Sequence, residues 1–167
     1  MITLFHCMSA RSFRPLWTLE ELGLSYKLNT LSLPPRFHPR QYLNINRIGM
    51  VPALIIDKIL MTKSAAICEY LAKLFGPTPL GVLPEDPDYA KYLNWLHYGE
   101  APLTFLQTIV LRYGQFEEPP GRLPQAVQDY SRWFLGRLRA VGSALGDREY
   151  LCQNRFSRLL IPQRTTL

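Results

Sequence analysis

The sequence has few cysteines and lacks the patterns in which cysteine usually does chemistry. Its three cysteines, Cys7, Cys68 and Cys152, lie far apart, and none belongs to a C-x-x-C pair. This spacing supports neither a dithiol redox site nor a structural zinc site, so we expect no metal. We expect all three thiols to be buried and to pack as small apolar side chains.

Long apolar runs and a leader peptide are also missing. No run approaches the ~18 apolar residues that a membrane-spanning helix needs. The first seven residues, MITLFHC, have neither the basic leader nor the small-residue cleavage site of a secretory signal. We therefore expect a cytoplasmic protein with no membrane partner. Apolar residues make up 47% of the 167 positions and charged residues 19%, which is typical of a globular protein with a core.

Acidic residues are absent from one stretch, between Leu22 and Ile56. The basic side chains of that stretch are Lys27, Arg36, His38, Arg40 and Arg47. They are not interleaved with aromatic residues along one helix, so we expect no nucleic-acid partner. Two interpretations stay open: a basic rim around a site for a small carboxylate, or a solvated loop.

The residues that are present in positions 1–76 predict the element order βαβ-ββα. ITLFHC is apolar on both faces, as a central strand would be. FRPLWTLEELGL has apolar residues at helical spacing, with Ser12 as the expected N-cap and Gly23 at its end. The alternation in SYKLNTLSL predicts a second strand, parallel to the first. The following residues, 34–50, predict a loop or a short irregular helix.

A hairpin and a third helix complete this α/β domain. PALIID and KILMT predict two strands that turn near Asp57 and Lys58, and a helical stripe from Ser64 to Phe75 stops at Gly76. Residues 77–88 are rich in proline and predict a linker.

Residues 89–167 predict an all-α domain. Helical stripes run from 89 to 114, with a kink expected at Pro102, and from 127 to 145. The fold class that we predict is therefore α/β plus all-α, with the α/β domain in residues 1–76 and the helical domain in residues 89–167.

Two junctions of the α/β domain have features of a ligand site. Pro52 stands at the start of a strand, where it leaves main-chain groups at a sheet edge, and Val51 could offer its N–H and C=O there. Gly49 allows the preceding loop to turn. Ser64 opens a helix whose first amides favour a carboxylate. Together they predict a site for a short anionic peptide, although a tight turn and an ordinary N-cap would give the same residues.

The order of these elements, the proline before the third strand, Ser64 and the appended helical domain resemble the glutathione S-transferase family. The resemblance covers residues 2–156 and is carried by RSFRPLWTLEELGL, NINRIGMVPAL and SAAICEYLAKLFGP. It implies a thioredoxin-like first domain in which the peptide bond between Val51 and Pro52 is cis. It also implies that Val51 pairs through its backbone with the cysteinyl unit of glutathione, and that Ser64 holds the γ-glutamyl carboxylate.

The same resemblance implies a hydroxyl that lowers the pKa of the glutathione thiol. Ser9 and Ser12 are the candidates, and we favour Ser9 because Ser12 is also the expected N-cap. Arg11 falls where some members keep a cysteine, so mixed-disulfide chemistry is not expected. Lys63 precedes Ser64 where the family usually has Glu or Gln, which leaves its contact with glutathione to the main chain.

Other parts of the implied site come from the basic loop and the helical domain. His38, Arg36 or Arg40 would meet the glycyl carboxylate of glutathione. A pocket for a small hydrophobic electrophile would form near Trp95, Tyr98 and Tyr113, and Glu100 would face the partner in a homodimer. The alternative to these roles is core packing for the three aromatic residues.

The last residues depart from the family pattern. After DREYLCQNRFS the family continues with a capping box and further helices, but Leu160 stands where the box needs an aspartate and Pro162 follows it. We hypothesise that the helical domain is truncated, with an atypical tail over residues 157–167, and a change of reading frame near residues 156–158 would explain it.

Three functions follow from these predictions. The first is a glutathione transferase that activates the thiol for attack on an electrophile, or a related isomerase or dehalogenase. The second is a non-catalytic binding or interaction module of the same fold. The third, a glutaredoxin-type oxidoreductase, is opposed by the missing C-x-x-C pair.

Overall fold

The computed structural model describes residues 1–32 and 40–152. The described residues form two compact units, one within Met1–Gly81 and the other over residues 82–152. The predicted α/β plus all-α fold class is confirmed. Predictions that concern the tail over residues 157–167 lie outside the described residues.

The first unit contains a four-stranded mixed sheet in the order β2-β1-β3-β4. Its strands are β1 (Ile2–Cys7), β2 (Lys27–Leu31), β3 (Ala53–Ile56) and β4 (Ile59–Met61). The first strand lies between a parallel neighbour, β2, and an antiparallel neighbour, β3. Its apolar residues face both sides of the sheet, and this confirms the prediction of a central strand. The predicted turn of the hairpin is also confirmed, since Asp57 and Lys58 join β3 to β4.

Three helices accompany the sheet: α1 (Phe13–Glu21), α2 (Arg40–Ile45) and α3 (Ser64–Leu74). The core between sheet and helices is built from apolar side chains of β1, β3, α1 and α3. Its innermost members are Leu4, Leu19, Leu54, Ile67 and Leu71. The apolar stripe predicted on α3 lies on a helix that ends where the sequence predicts it, and its residues are buried at Ile67 and Leu71 but exposed at Leu74 and Phe75.

The second unit consists of helical segments. They are α4 (Tyr89–Tyr98), a π-helical stretch (Gly99–Thr104), α5 (Phe105–Leu111), a second π-helical stretch (Arg112–Phe116), a 3₁₀ turn (Pro119–Gly121) and α6 (Pro124–Leu145). The kink predicted at Pro102 takes the form of the first π-helical stretch. Proline has no N–H for the helical ladder, and a wider turn accommodates its ring. In the same stretch, the hydroxyl of Thr104 donates to the carbonyl of Gly99 (2.6 Å).

The helices of this unit bury Tyr92 and Leu96 of α4, Leu103 of the first π-helical stretch and Leu106 of α5. The last helix differs, because none of its residues is fully buried. Trp133 and Leu135 of α6 are about half exposed. Within the described part of the chain, no helix has the length and apolarity to cross a membrane.

Candidate functional site

The sheet topology brings three loop segments to one end of the first unit. Phe5 pairs with Ala53 in the antiparallel β1–β3 ladder, so the loop after β1 and the loop before β3 meet at the same end. Leu54 pairs with Met61, and β4 therefore finishes at this end and leads directly into α3. We call this region, residues 8–12, 46–52 and 62–64, the site end of the sheet. It contains Ser9, Val51 and Ser64, which the sequence predicted as separate parts of one site.

The two candidate serines after β1 lie in different environments. Ser9 is exposed in the loop and has a left-handed backbone (φ 56°). Ser12 is fully buried.

The hydroxyl of Ser12 is used within the protein. Its oxygen accepts a hydrogen bond from the N–H of Cys7 (3.0 Å) and lies 2.9 Å from Nδ1 of His6. The carbonyl of Cys7 lies at 3.3 Å. Ser12 does occupy the N-cap position of α1, but the predicted side-chain cap is wrong, because its hydroxyl turns back to β1 instead of toward the helix amides.

His6 is a buried histidine beneath this loop. Burial lowers the pKa of its imidazole because a charged ring would lose its hydration, and a hydrogen bond with the backbone of Ser12 opposes this effect only in part. The neutral ring can accept the Ser12 proton at Nδ1. Burial likewise raises the pKa of the neighbouring Cys7 thiol, which keeps it protonated.

The loop before β3 presents Val51 and Pro52. Both residues are buried, and the peptide bond between them is cis. Gly49, two residues earlier, has a left-handed backbone (φ 64°), a conformation that glycine adopts without steric cost. Among residues 1–32 and 40–152, no hydrogen bond involves the main chain of Val51.

Ser64 lies at the first residue of α3 and is buried, with 2% of its surface exposed. The first amides of a helix have no partner within the helix, so they are available to an acceptor. A buried arginine, Arg14 of α1, donates from Nη1 to the Ser64 oxygen (3.4 Å). This contact places a positive charge beside the start of α3. Lys63 precedes Ser64 and is exposed.

The other predicted residues are placed as follows. His38 and Arg36 lie outside the described residues, and Arg40 is the first residue of α2. In the second unit, Trp95 and Tyr98 are neighbours on α4, with ring centroids 5.1 Å apart. Tyr113 lies in the second π-helical stretch, where the guanidinium of Arg112 covers its ring.

Sequence analysis assigned no site role to four side chains near the site end: His6, Arg14, Tyr42 and Asn46. Arg14 could not be recognised, because its partner Ser64 is 50 positions away. Asn46 carried a local signal, since an asparagine three residues before a glycine is typical of a turn that the side-chain oxygen closes. In the described ranges, no group of three or more His, Cys, Asp or Glu side chains could hold a metal ion.

Comparison with known proteins agrees with this architecture. Residues 1–73 match the family model of the glutathione S-transferase N-terminal domain. Glutathione S-transferase 3 of Schizosaccharomyces pombe is 34% identical over 106 residues, which are 62% of this chain and 43% of that protein. The enzyme GstA of Escherichia coli O157:H7, also a glutathione S-transferase, is 27% identical over 157 residues, which are 92% of this chain and 75% of GstA.

Solved structures show the same fold at lower identity. The glutathione transferase URE2P8 from Phanerochaete chrysosporium, solved with oxidized glutathione, has a TM-score of 0.83 at 20% identity, covering 95% of this chain and 73% of its own. Ure2p in complex with glutathione has a TM-score of 0.81 at 22% identity, covering 95% of this chain and 75% of its own.

These matches define the class as a thioredoxin-like domain joined to a helical domain. Residues 1–73 are similar to the N-terminal domain of the glutathione S-transferase family, and the fold of the chain is that of solved glutathione transferases. The chain spans less than half the length of the Schizosaccharomyces pombe relative.

Proposed function

We propose that this chain binds glutathione at the site end of the sheet and activates its thiol for attack on a small electrophile. The observation that carries the proposal is the meeting, at one end of one sheet, of the Val51 main chain, the start of α3 and the exposed hydroxyl of Ser9. Each of these groups matches one part of glutathione.

The two ends of the tripeptide are carboxylates, and the site end offers positive charge for them. The γ-glutamyl carboxylate would lie at the first amides of α3 and the Ser64 hydroxyl, near the Arg14 guanidinium. The cysteinyl unit would pair with the N–H and C=O of Val51, which lies in the loop before β3. We assign the glycyl carboxylate to His38 or Arg40 from the family resemblance.

Ser9 is the group that we propose to stabilise the thiolate. An ordinary thiol has a pKa of about 8.5, so little of it is ionised at neutral pH unless a donor stabilises the anion. The Ser9 hydroxyl is exposed and can donate to the sulfur, whereas the Ser12 hydroxyl already contacts His6 and Cys7. The thiol proton passes to solvent, the sulfur forms a bond to the electrophilic carbon, and the leaving group departs with its bonding electrons.

Lys63 favours a second candidate, a binding module without catalysis. The family usually has Glu or Gln before this serine, and an exposed lysine cannot accept the hydrogen bond that a carboxylate or amide oxygen would accept from the ligand. Main-chain pairing at Val51 does not depend on that side chain. The homodimer and the electrophile site near Trp95, Tyr98 and Tyr113 belong to the proposed transferase.

A binding and turnover experiment separates the two candidates. Glutathione is titrated calorimetrically into the wild type, and conjugation to chlorodinitrobenzene is followed by absorbance. We expect Ser64→Ala to weaken binding about 10-fold, through loss of a hydrogen bond to a charged group. We expect Ser9→Ala to keep the affinity but to raise the apparent pKa of the bound thiol and to slow conjugation at least about 10-fold.

The outcomes are distinct. Binding with conjugation that depends on Ser9 supports the transferase, and binding without conjugation supports the module. A wild type that does not bind glutathione contradicts both candidates.

A further inference from the structure

In the loop that ends at Val51, two side chains donate hydrogen bonds to the same main-chain carbonyl. The carbonyl oxygen of Met50 accepts from the hydroxyl of Tyr42 (2.6 Å) and from the side-chain amide of Asn46 (2.7 Å). A carbonyl oxygen has two lone pairs, so these two donors fill its capacity.

Both donors are rigidly placed. Tyr42 of α2 is 3% exposed and Asn46, which follows that helix, is 5% exposed. The ring of Tyr42 packs 5.4 Å from the ring of Phe5 in the central strand. Burial raises the pKa of the Tyr42 hydroxyl, which therefore stays protonated and can donate.

Asn46 also shapes the loop itself. Its side-chain oxygen accepts from the N–H of Ile48 (3.2 Å), and its carbonyl accepts from the N–H of Gly49 (2.8 Å). Its own N–H donates to the carbonyl of Tyr42 (2.8 Å), which ties the loop to the end of α2. Asn46 thus uses both ends of its amide, one to close the turn and the other to hold Met50.

The direction of the Val51 amide follows from the geometry of a single peptide unit. The carbonyl of Met50 and the N–H of Val51 belong to the same trans peptide plane, in which they point in opposite directions. Because Tyr42 and Asn46 hold the carbonyl on the protein side, the Val51 N–H must point away from them. A free loop could rotate this plane and lose that orientation.

We propose that Tyr42 and Asn46 are positioning residues that orient the Val51 N–H toward a peptide ligand by fixing the Met50 carbonyl. This inference rests on the proposed binding of glutathione at Val51. In this proposal neither side chain touches the ligand. Through the Met50 carbonyl they control the main-chain pairing that aligns the cysteinyl unit of glutathione.

The test uses the full chain and two conservative variants. Tyr42→Phe removes only the hydroxyl. Asn46→Asp keeps the oxygen that accepts from Ile48 but replaces the donor to Met50 by an oxygen. Tyr26→Phe is the matched control, because it removes another tyrosine hydroxyl, one that contacts the exposed Glu20 side chain.

A spectroscopic label can report on this peptide plane alone. The dipeptide Met-Val occurs once in the sequence, at Met50 and Val51. Carbonyl-¹³C methionine combined with ¹⁵N valine therefore gives a single carbonyl–amide correlation. In the wild type we expect glutathione to shift the Val51 amide resonance.

We expect Tyr42→Phe and Asn46→Asp to move the Met50 carbonyl resonance upfield in the absence of ligand. Tyr42→Phe should raise the Kd for glutathione about 3- to 10-fold, the effect of one lost hydrogen bond. Asn46→Asp should raise it at least as much, because its carboxylate oxygen also repels the Met50 carbonyl oxygen. Ser64→Ala should weaken binding without moving the carbonyl resonance of the free protein. Urea unfolding of each variant corrects the Kd for the folded fraction.

The results distinguish the positioning role of Tyr42 and Asn46 from the proposed binding of glutathione. If the wild type binds glutathione and the folded variants bind equally well, or their Met50 carbonyl resonance is unmoved, the positioning role is overturned while the proposed function stands. If the wild type neither binds glutathione nor shows a shift at Val51, the proposed function fails and this role fails with it.

Discussion

At the residue scale, Ser9 and Ser12 have different roles. The hydroxyl of Ser12 makes its contacts within the protein, with the buried ring of His6 and the main chain of Cys7. Ser9 sits in the exposed turn that these contacts anchor. A hydroxyl bound to a buried neutral imidazole also makes the fold sensitive to protonation of that ring.

We therefore predict that the free energy of unfolding falls as the pH decreases below about 6.5. Burial lowers the folded-state pKa of His6, so between that pKa and the unfolded-state value the unfolded chain binds more protons. Stability then rises with pH and is lost as the pH falls through this window. Urea unfolding at pH 7.5 and pH 5.5 measures the difference.

His6→Asn is the control for this prediction, because an amide can occupy the place of Nδ1 without titrating. The variant should show a smaller loss of stability between the two pH values than the wild type. An equal loss in both proteins would assign the pH dependence to other groups.

At the scale of strands and helices, several features can be predicted from the sequence. A central strand, a parallel neighbour, a two-residue hairpin turn and a helix from Ser64 follow from local patterns, because apolar period and turn residues act over short distances. The contacts of Arg14 with Ser64 and of Tyr42 with Met50 do not follow. These contacts depend on how the elements pack against one another. The segment that contains α2 was predicted only as a loop or a short irregular helix.

The third helix also shows the limit of an apolar stripe. The spacing places Leu71 and Leu74 on the same face, but Leu71 is fully buried and Leu74 is 49% exposed. Periodicity gives the direction of a side chain around the helix axis and not the extent of the surface that covers it.

Leu71→Ala should lower the free energy of unfolding by about 2–5 kcal/mol, because it leaves a cavity in the core. The matched variant Leu74→Ala should cost less than about 1 kcal/mol. Denaturant midpoints at constant m-value measure both. Comparable losses for the two variants would contradict the burial seen in α3.

Across the whole molecule, the cysteines confirm the expectation from sequence, because all three are buried and none of them forms a disulfide. Burial raises the pKa of the Cys7 and Cys152 thiols, so neither is activated as a nucleophile. Their spacing already excluded a paired site, but their depth depends on the fold.

The three thiols should therefore be unreactive toward an aromatic disulfide reagent in the native protein and all should react in denaturant. The released thiolate absorbance counts them. Rapid reaction of one thiol under native conditions would contradict its burial. The reagent concentration is kept low so that the reagent reports unfolding and does not itself drive the protein to unfold.

The half-exposed side chains of α6 have a consequence for motion. Separating this helix from its neighbours uncovers little apolar surface that water does not already reach, so the detachment costs less free energy than disrupting the sheet. Deuterium from the solvent will reach the amides of α6 well before those of β1. We therefore expect local opening to begin at α6, the last described helix, while the sheet of the first unit stays closed.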